Sequence, residues 1–176
     1  MKVLVACEYS GRVRDAFKAR GHDAWSCDLL PTDVEGQHIQ GSVLDVLDQG
    51  WDLMIAHPPC THLAVSGARW FKDKKQEQHE ALCFVSALLN APIDKIALEN
   101  PISVISTKIR KPTQIIQPWQ FGHGETKATC LWLKNLPNQA DQHCRGTRGT
   151  GSQNGSVCGS MEASFVNFYR HSKGYG

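Results

Sequence analysis

Short apolar runs alternate with segments of helical periodicity over the first hundred residues. Apolar runs rich in β-branched residues predict four strands: KVLVAC (2–7), DAWSCDLL (23–30), WDLMIAH (51–57) and DKIALEN (94–100). The strand within DAWSCDLL is expected to end at Asp28. Amphipathic spacing predicts helices over VRDAFKARG (13–21) and QEQHEALCFVSALLNA (76–91), and SVLDVL (42–47) predicts a short helix or turn. Strands that alternate with helices indicate an α/β domain with a mostly parallel sheet.

Polar and glycine-containing segments separate or follow these elements. PTDVEGQHIQG (31–41) and residues 61–75 are predicted loops. Beyond Pro137 the chain is rich in Gly, Ser, Thr and Gln without an apolar period, so we expect one domain over 1–137 and a flexible tail over 138–176. Within that tail, SFVNFY (164–169) is apolar enough for one last strand or helix.

Composition narrows the function classes only slightly. With 176 residues, 41% hydrophobic and 20% charged, the chain is expected to be one soluble globular domain. A net charge of +2 gives no overall basic field, so nucleic-acid binding would need a local patch. Seven scattered cysteines, with neither a signal peptide nor an apolar span, predict free thiols in a reducing cytoplasm and no membrane association.

Unusual residues follow directly after each predicted strand. They are EYSGR (8–12), Asp28, HPPCTH (57–62) and ENP (99–101). Ligands of parallel sheets bind at the carboxyl ends of the strands. The sequence therefore predicts a functional site at that edge.

Cys60 follows a buried strand and two prolines. Pro58 and Pro59 restrict the backbone and would fix the direction of the thiol. A thiolate in a cationic or helix-terminus environment is a strong nucleophile, which favours a catalytic role. The alternative is an inert cysteine that fills a rigid turn.

Glu99 lies at the end of an apolar strand. A carboxyl group is costly to bury there without a partner or a function, and burial would favour its protonated form. Such a group can hydrogen-bond a ring nitrogen and donate a proton. The alternative is a strand-end glutamate in solvent.

The turn after the first strand is a weaker signal. Gly11 leads into a helix N-terminus, an arrangement that suits a nucleotide-like cofactor but also occurs in plain βα turns. Asp28, at the end of the second strand, is of the type that holds a ribose hydroxyl in dinucleotide sites.

Two further interpretations stay open. His57, Cys60 and His62 lie close together, with further His and Cys residues downstream (His143, Cys144 and Cys158), so a zinc-binding module is one alternative, although His-x2-Cys-x-His is not a usual finger spacing. The basic run KDKK (72–75) is typical of a solvated face. Together with Arg69 and Trp70 it could instead contact phosphate and stack on a base.

Taken together, the strand–turn start, Pro-Pro-Cys and Glu-Asn-Pro in this order resemble the DNA cytosine-5 methyltransferase family, and more narrowly its short bacteriophage methyltransferase-like proteins. The resemblance runs from residue 2 to 137, through FGHGETKATCLWLKNLP. It implies a Rossmann-like fold that binds S-adenosylmethionine, with DNA as partner, in a bacterial or phage-infected cell. It implies that Cys60 attacks C6 of cytosine while Glu99 engages and protonates N3. In duplex DNA the base would be flipped out, with loop 61–75 closing over it.

The resemblance also implies roles for residues around these two. Those assigned to the substrate side are Pro58, Pro59, Asn100, Pro101, Arg69 and Lys127. Those assigned to the cofactor pocket are Glu8, Tyr9, Ser10, Gly11, Asp28 and Ser42. No residue is assigned to a metal.

The chain departs from the family pattern at several points. Gly11 alone clearly matches the first motif, Gly41-Ser42 stands where the family often has Gly-Asp, and Lys127 and Thr129 stand near the arginine-bearing eighth motif. We expect the residues after Pro137 to be too few for a full target-recognition domain, so DNA specificity would be low, shared across a homo-oligomer, or absent. Two alternatives therefore stay open: a methyltransferase-like DNA- or partner-binding protein without activity, and an enzyme that modifies free dCMP.

Overall fold

A seven-stranded sheet organises the chain in the computed structural model, which describes residues 1–66, 74–117 and 128–138. The elements are β1 (Lys2–Ala6), α1 (Arg12–Lys18), β2 (Asp23–Asp28), β3 (His38–Gln40), a 3₁₀ helix (Val43–Val46), β4 (Leu53–Ala56), α2 (Lys75–Leu89), β5 (Lys95–Pro101), α3 (Ile105–Lys108), β6 (Gln114–Ile116) and β7 (Thr129–Lys134).

The strand order is β3-β2-β1-β4-β5-β7-β6. Strands β1 to β5 pair in parallel, whereas β7 runs antiparallel to both β5 and β6. The chain builds outward from β1 to β3 and then returns to place β4 on the other side of β1. In parallel sheets this reversal opens a crevice at the carboxyl ends of the two central strands.

Both faces of the central strands are buried, which explains their continuous apolar runs. On one face, Val13 and Phe17 of α1 pack against alternate strand residues such as Val5 and Ile55. On the other face, α2 and α3 cover the remaining strand residues, with α2 contributing Val85 and Leu88. Helices therefore cover both faces of the sheet, and the carboxyl ends of its parallel strands remain accessible for a site.

The buried guanidinium of Arg14 holds the connection between β2 and β3. It is fully inaccessible, and its Nη1 and Nη2 atoms lie 3.4 Å from Ser26 Oγ and 3.1 Å from the Glu35 carbonyl oxygen. Its Nε donates to Asp15 at 2.8 Å. These contacts fix the loop that follows Asp28, and so fix one wall of the crevice.

The main predicted elements are confirmed within a few residues. The mixed α/β class with a mostly parallel sheet is present, both predicted amphipathic helices form, and SVLDVL contains the 3₁₀ helix. The prediction of an uninterrupted loop over 31–41 is wrong, because His38–Gln40 pairs with the end of β2. A three-residue, half-exposed strand carries too little pattern to be seen in a sequence.

The tail predicted over 138–176, with its SFVNFY segment, lies outside the described residues except for Asn138. Loop 61–75 is described only at 61–66 and from Lys74 onward. Within the described ranges, no helix is long and apolar enough to cross a membrane.

Candidate active site

The carboxyl edge of the parallel strands collects the residues that the sequence singled out. Glu8 follows β1, Asp28 ends β2, and Gly41 and Ser42 follow β3. Cys60 lies four residues beyond the end of β4, and Glu99 lies near the carboxyl end of the neighbouring strand β5. The two candidate reactive groups thus belong to adjacent strands.

The segment after β4 presents Cys60 to solvent. The His57 amide donates to the Ala6 carbonyl oxygen at 3.0 Å, which continues the sheet by one residue. Pro58 is buried, whereas Pro59 and Cys60 are exposed. The Cys60 carbonyl oxygen then accepts the amides of Leu63 and Ala64, at 3.0 and 2.9 Å, so the thiol sits at the start of a closed turn.

Glu99 has a partner that sequence reasoning considered only as a zinc ligand. The His57 Nδ1 atom lies 3.3 Å from Glu99 Oε2, and the two side chains are only 10% and 15% exposed. The imidazole and the carboxyl group are therefore close together and largely shielded from water. No sequence signal linked them, because the contact depends on the pairing of β4 with β5.

Further contacts join the segment after β4 to the end of β5. The Asn100 side-chain amide donates to the Pro58 carbonyl oxygen at 2.9 Å. The Val65 amide donates to Ile102 at 3.2 Å, and the Val104 amide donates to Leu63 at 3.0 Å, around a bridge between Ala64 and Ser103. The segments that carry Cys60 and Glu99 are thus braced against each other.

Three other thiols near this edge are poor nucleophiles. Burial, with the nearby Asp28 and Cys27, raises the pKa of Cys7 to about 12. Burial, with the charges of Asp28 and Asp45, raises the pKa of Cys27 to about 11. Burial and the Glu99 carboxylate raise the pKa of Cys130. All three stay protonated at neutral pH, and of the five described cysteines only Cys60 and Cys83 are exposed.

A pocket of about 420 Å³ opens at the same edge. Asp28, Ser42 and Pro59, three residues named from the sequence, line it. Leu29, Val43 and Phe84 add apolar surface. Glu77 and Glu80 of α2 also line it, and sequence reasoning missed them because their approach depends on how α2 packs on the sheet. This mixture of apolar walls and few polar groups is typical of small-molecule sites.

Asp28 and Ser42 are held by local hydrogen bonds at the pocket. Asp28 Oδ1 accepts the Leu30 amide at 3.0 Å, and the Asp28 carbonyl oxygen accepts the Gly41 amide at 2.8 Å. Ser42 Oγ accepts the Leu44 amide at 3.3 Å and so caps the 3₁₀ helix. Local hydrogen bonds thus orient both side chains at the pocket.

The turn after β1 has a different role from its neighbours. The buried Glu8 carboxylate accepts the amides of Val13 and Arg14, at 2.7 and 3.3 Å, and the Ser10 hydroxyl at 3.1 Å. Glu8 therefore caps α1. Tyr9 is 42% exposed, and none of the described residues 8–11 lines the pocket.

The remaining predicted residues divide into two groups. Asn100 and Pro101 end β5, with Asn100 buried. Arg69 and Lys127 lie outside the described residues. Over 1–66, 74–117 and 128–138, no group of three or more His, Cys, Asp or Glu side chains is arranged to hold a metal ion.

Comparisons with known proteins give little beyond this geometry. No family model and no curated protein matches the chain. Among solved structures, it is similar to a candidate DNA modification methyltransferase encoded within an E. coli prophage, with a TM-score of 0.48 and 11% identity. The alignment covers 74% of this chain and 45% of that one, so the chain spans less than half of its length. A likeness at this level assigns neither a family nor an activity.

Proposed function

We propose that the protein is an S-adenosylmethionine-dependent methyltransferase that modifies C5 of cytosine in DNA. The observation that carries the proposal is the arrangement of Cys60 and Glu99. The exposed thiol follows β4, the shielded carboxyl group lies near the end of the adjacent parallel strand β5, and hydrogen bonds brace the segments that bear them. Pro-Pro-Cys and Glu-Asn-Pro, the motifs shared with the cytosine-5 family, are the sequences that form this arrangement.

The chemistry needs these two groups because C5 of cytosine is a poor nucleophile. Attack of the Cys60 thiolate on C6 forms an S–C6 bond and moves electron density through the ring to N3, where Glu99 delivers a proton. C5 then carries nucleophilic character. Once C5 has taken the methyl group from the sulfonium of the cofactor, water accepts the C5 proton, the C5–C6 double bond re-forms and the Cys60 thiolate is expelled. N3 returns its proton to the Glu99 carboxylate.

The pocket residues fit the proposed cofactor. When bound, S-adenosylmethionine supplies an electrophilic methyl group. In this proposal the Asp28 carboxylate accepts ribose hydroxyls, while Leu29, Val43 and Phe84 provide apolar surface for the adenine ring. Pro59 lines the same pocket and directly precedes Cys60, so the cofactor would be adjacent to the nucleophile.

Within the proposal, Pro58 and Pro59 aim the thiol, and Asn100 and Pro101 shape the opposite side of the site. Arg69 and Lys127 are proposed to contact the DNA backbone. A base in duplex DNA would have to be flipped out to reach Cys60. The exposed Lys74 and Lys75, at the start of α2, add positive charge for phosphate contact.

Trapping of the covalent adduct tests the proposal. DNA that contains 5-fluorocytosine cannot lose its C5 substituent as a proton, so the enzyme stays attached after methyl transfer. Intact-mass analysis should show protein joined to DNA in the presence of S-adenosylmethionine. The Cys60→Ala variant should give none, and Cys83→Ala should give the wild-type yield. Absence of adduct with wild-type protein, under conditions where it binds both DNA and cofactor, would contradict the covalent mechanism.

A further inference from the structure

We propose that His57 is a positioning residue that holds the Glu99 carboxyl group for proton transfer to the substrate base. The inference rests on the proposed function and extends it to a residue outside the Pro-Pro-Cys and Glu-Asn-Pro motifs. Its basis is the contact of 3.3 Å between His57 Nδ1 and Glu99 Oε2, across a separation of 42 residues.

Both partners are fixed by their main chains. The His57 amide donates to Ala6 of β1, and Pro58 restricts the backbone that follows. Glu99 pairs with Leu131 in the antiparallel ladder of β5 and β7. Because neither side chain sits on a free loop, the contact follows from the sheet itself.

The surroundings strengthen an interaction of this kind. The side chains are 10% and 15% exposed, so little water competes for the hydrogen bond. Cys130 of β7 is a further titratable group near Glu99, and burial together with the Glu99 carboxylate raises the pKa of its thiol. A protonated thiol brings no charge, so Cys130 does not compete electrostatically with the His57 contact.

The inferred role concerns orientation and charge. With a proton on Nδ1, His57 donates to Oε2 and leaves the second carboxyl oxygen to face N3 of the base. When Glu99 gives its proton to N3, the carboxylate that forms is stabilised by the same donor. His57 keeps its proton throughout, and the proton that Glu99 gives is returned from N3 at the end of the cycle.

Three variants separate this role from a merely structural one. His57→Ala removes the donor, whereas His57→Asn keeps an amide donor near the Nδ1 position but cannot ionise. His79→Asn, on the exposed face of α2, is the matched control. We expect His57→Ala to lower kcat about 100-fold or more, with KM for DNA and Kd for cofactor nearly unchanged. His57→Asn should recover most of kcat, because its side-chain amide can replace the donor to Glu99.

Wild-type kcat in His57→Ala would overturn the inference, as would equal losses in His57→Ala and His57→Asn, or a loss confined to KM. Inactivity of the wild-type protein would instead contradict the proposed function. Nitrogen-15 NMR of histidine-labelled protein tests the contact without activity. His57 resonances, identified by their loss in His57→Asn, should show a protonated Nδ1 and should shift in Glu99→Gln. Unchanged His57 resonances in Glu99→Gln would overturn the inference.

Discussion

The Asn100 side-chain amide donates a hydrogen bond of 2.9 Å to the carbonyl oxygen of Pro58. Asn100 is 1% exposed, and the bond crosses from the end of β5 to the segment that presents Cys60. The Asn100 side chain therefore couples the two motifs of the candidate site.

Asn100→Ala should destabilise the protein and loosen the Cys60 segment. It leaves the Pro58 carbonyl oxygen without its donor, which costs about 1–3 kcal/mol for a buried group. Urea unfolding measures this loss of free energy of unfolding. Asn90→Ala is the control, because Asn90 is exposed and donates to Ser86 at 2.8 Å. An equal decrease in the free energy of unfolding in the two variants would show that the hydrogen bond to Pro58 stabilises the protein no more than an exposed one.

Gly11→Ala should cost more stability than Gly50→Ala. Both glycines have φ of +71°, so both substitutions carry the left-handed backbone penalty of about 1 kcal/mol. A Cβ at Gly11 would also lie 2.5 Å from Val34 Cγ2 and 2.6 Å from Arg14 Nη2, whereas a Cβ at Gly50 meets open space. We expect this overpacking to add about 1–3 kcal/mol, measured as the difference between the two free energies of unfolding. A difference near zero would contradict the packing described for Gly11.

Arg14→Met should destabilise the fold by about 3 kcal/mol. Methionine keeps part of the apolar stem but removes the donors to the Ser26 hydroxyl and the Glu35 carbonyl oxygen, and with them the contacts that hold the loop after Asp28. Arg12→Met, two residues earlier on the exposed side of α1, should change the free energy of unfolding by less than about 0.5 kcal/mol. Similar values for the two variants would mean that the guanidinium does not hold the loop after Asp28.

Stability should fall at alkaline pH partly because of Cys7. Its folded pKa of about 12 lies above the ordinary value of 9.0, so between these values the unfolded chain has released the proton that the folded chain keeps. The unfolded state then binds fewer protons, and the free energy of unfolding decreases as pH rises through this window. Chemical unfolding of wild type and Cys7→Ala at several alkaline pH values should show a shallower decline in the variant. Parallel declines would contradict the assignment.

The elements of the fold were predictable where buried residues form a long apolar run or a helical period in the sequence. β1, β4 and β5 are covered on both faces, so their apolar runs stand out, and α2 shows buried residues at Val85, Leu88 and Leu89. β3 and β6 contain three residues each, too few for a period to appear. β7 is apolar, but its antiparallel placement beside β5 is set by pairing with residues distant in the sequence, from Ile96 with Lys134 to Pro101 with Thr129.

The site residues at the ends of individual strands were predictable, whereas the contacts between neighbouring strands were not. Cys60, Glu99 and Asp28 follow from where apolar runs stop. The His57–Glu99 contact requires the β4–β5 register, in which Ala56 lies opposite Leu98, and no local pattern encodes that register. Glu77 and Glu80 reach the pocket only through the packing of α2, so they read as ordinary helix-surface residues in the sequence.

Methyl transfer from labelled S-adenosylmethionine tests the central claim most directly. Duplex DNA, single-stranded DNA and dCMP would be offered in parallel to wild type, Cys60→Ser and the exposed-thiol control Cys83→Ser. The account predicts label at C5 of cytosine in DNA with wild type and Cys83→Ser, and none with Cys60→Ser. Label in dCMP alone would move the activity to free nucleotides. Label that persists in Cys60→Ser, or its absence with every substrate, would contradict the assignment of Cys60 as the nucleophile of a DNA methyltransferase.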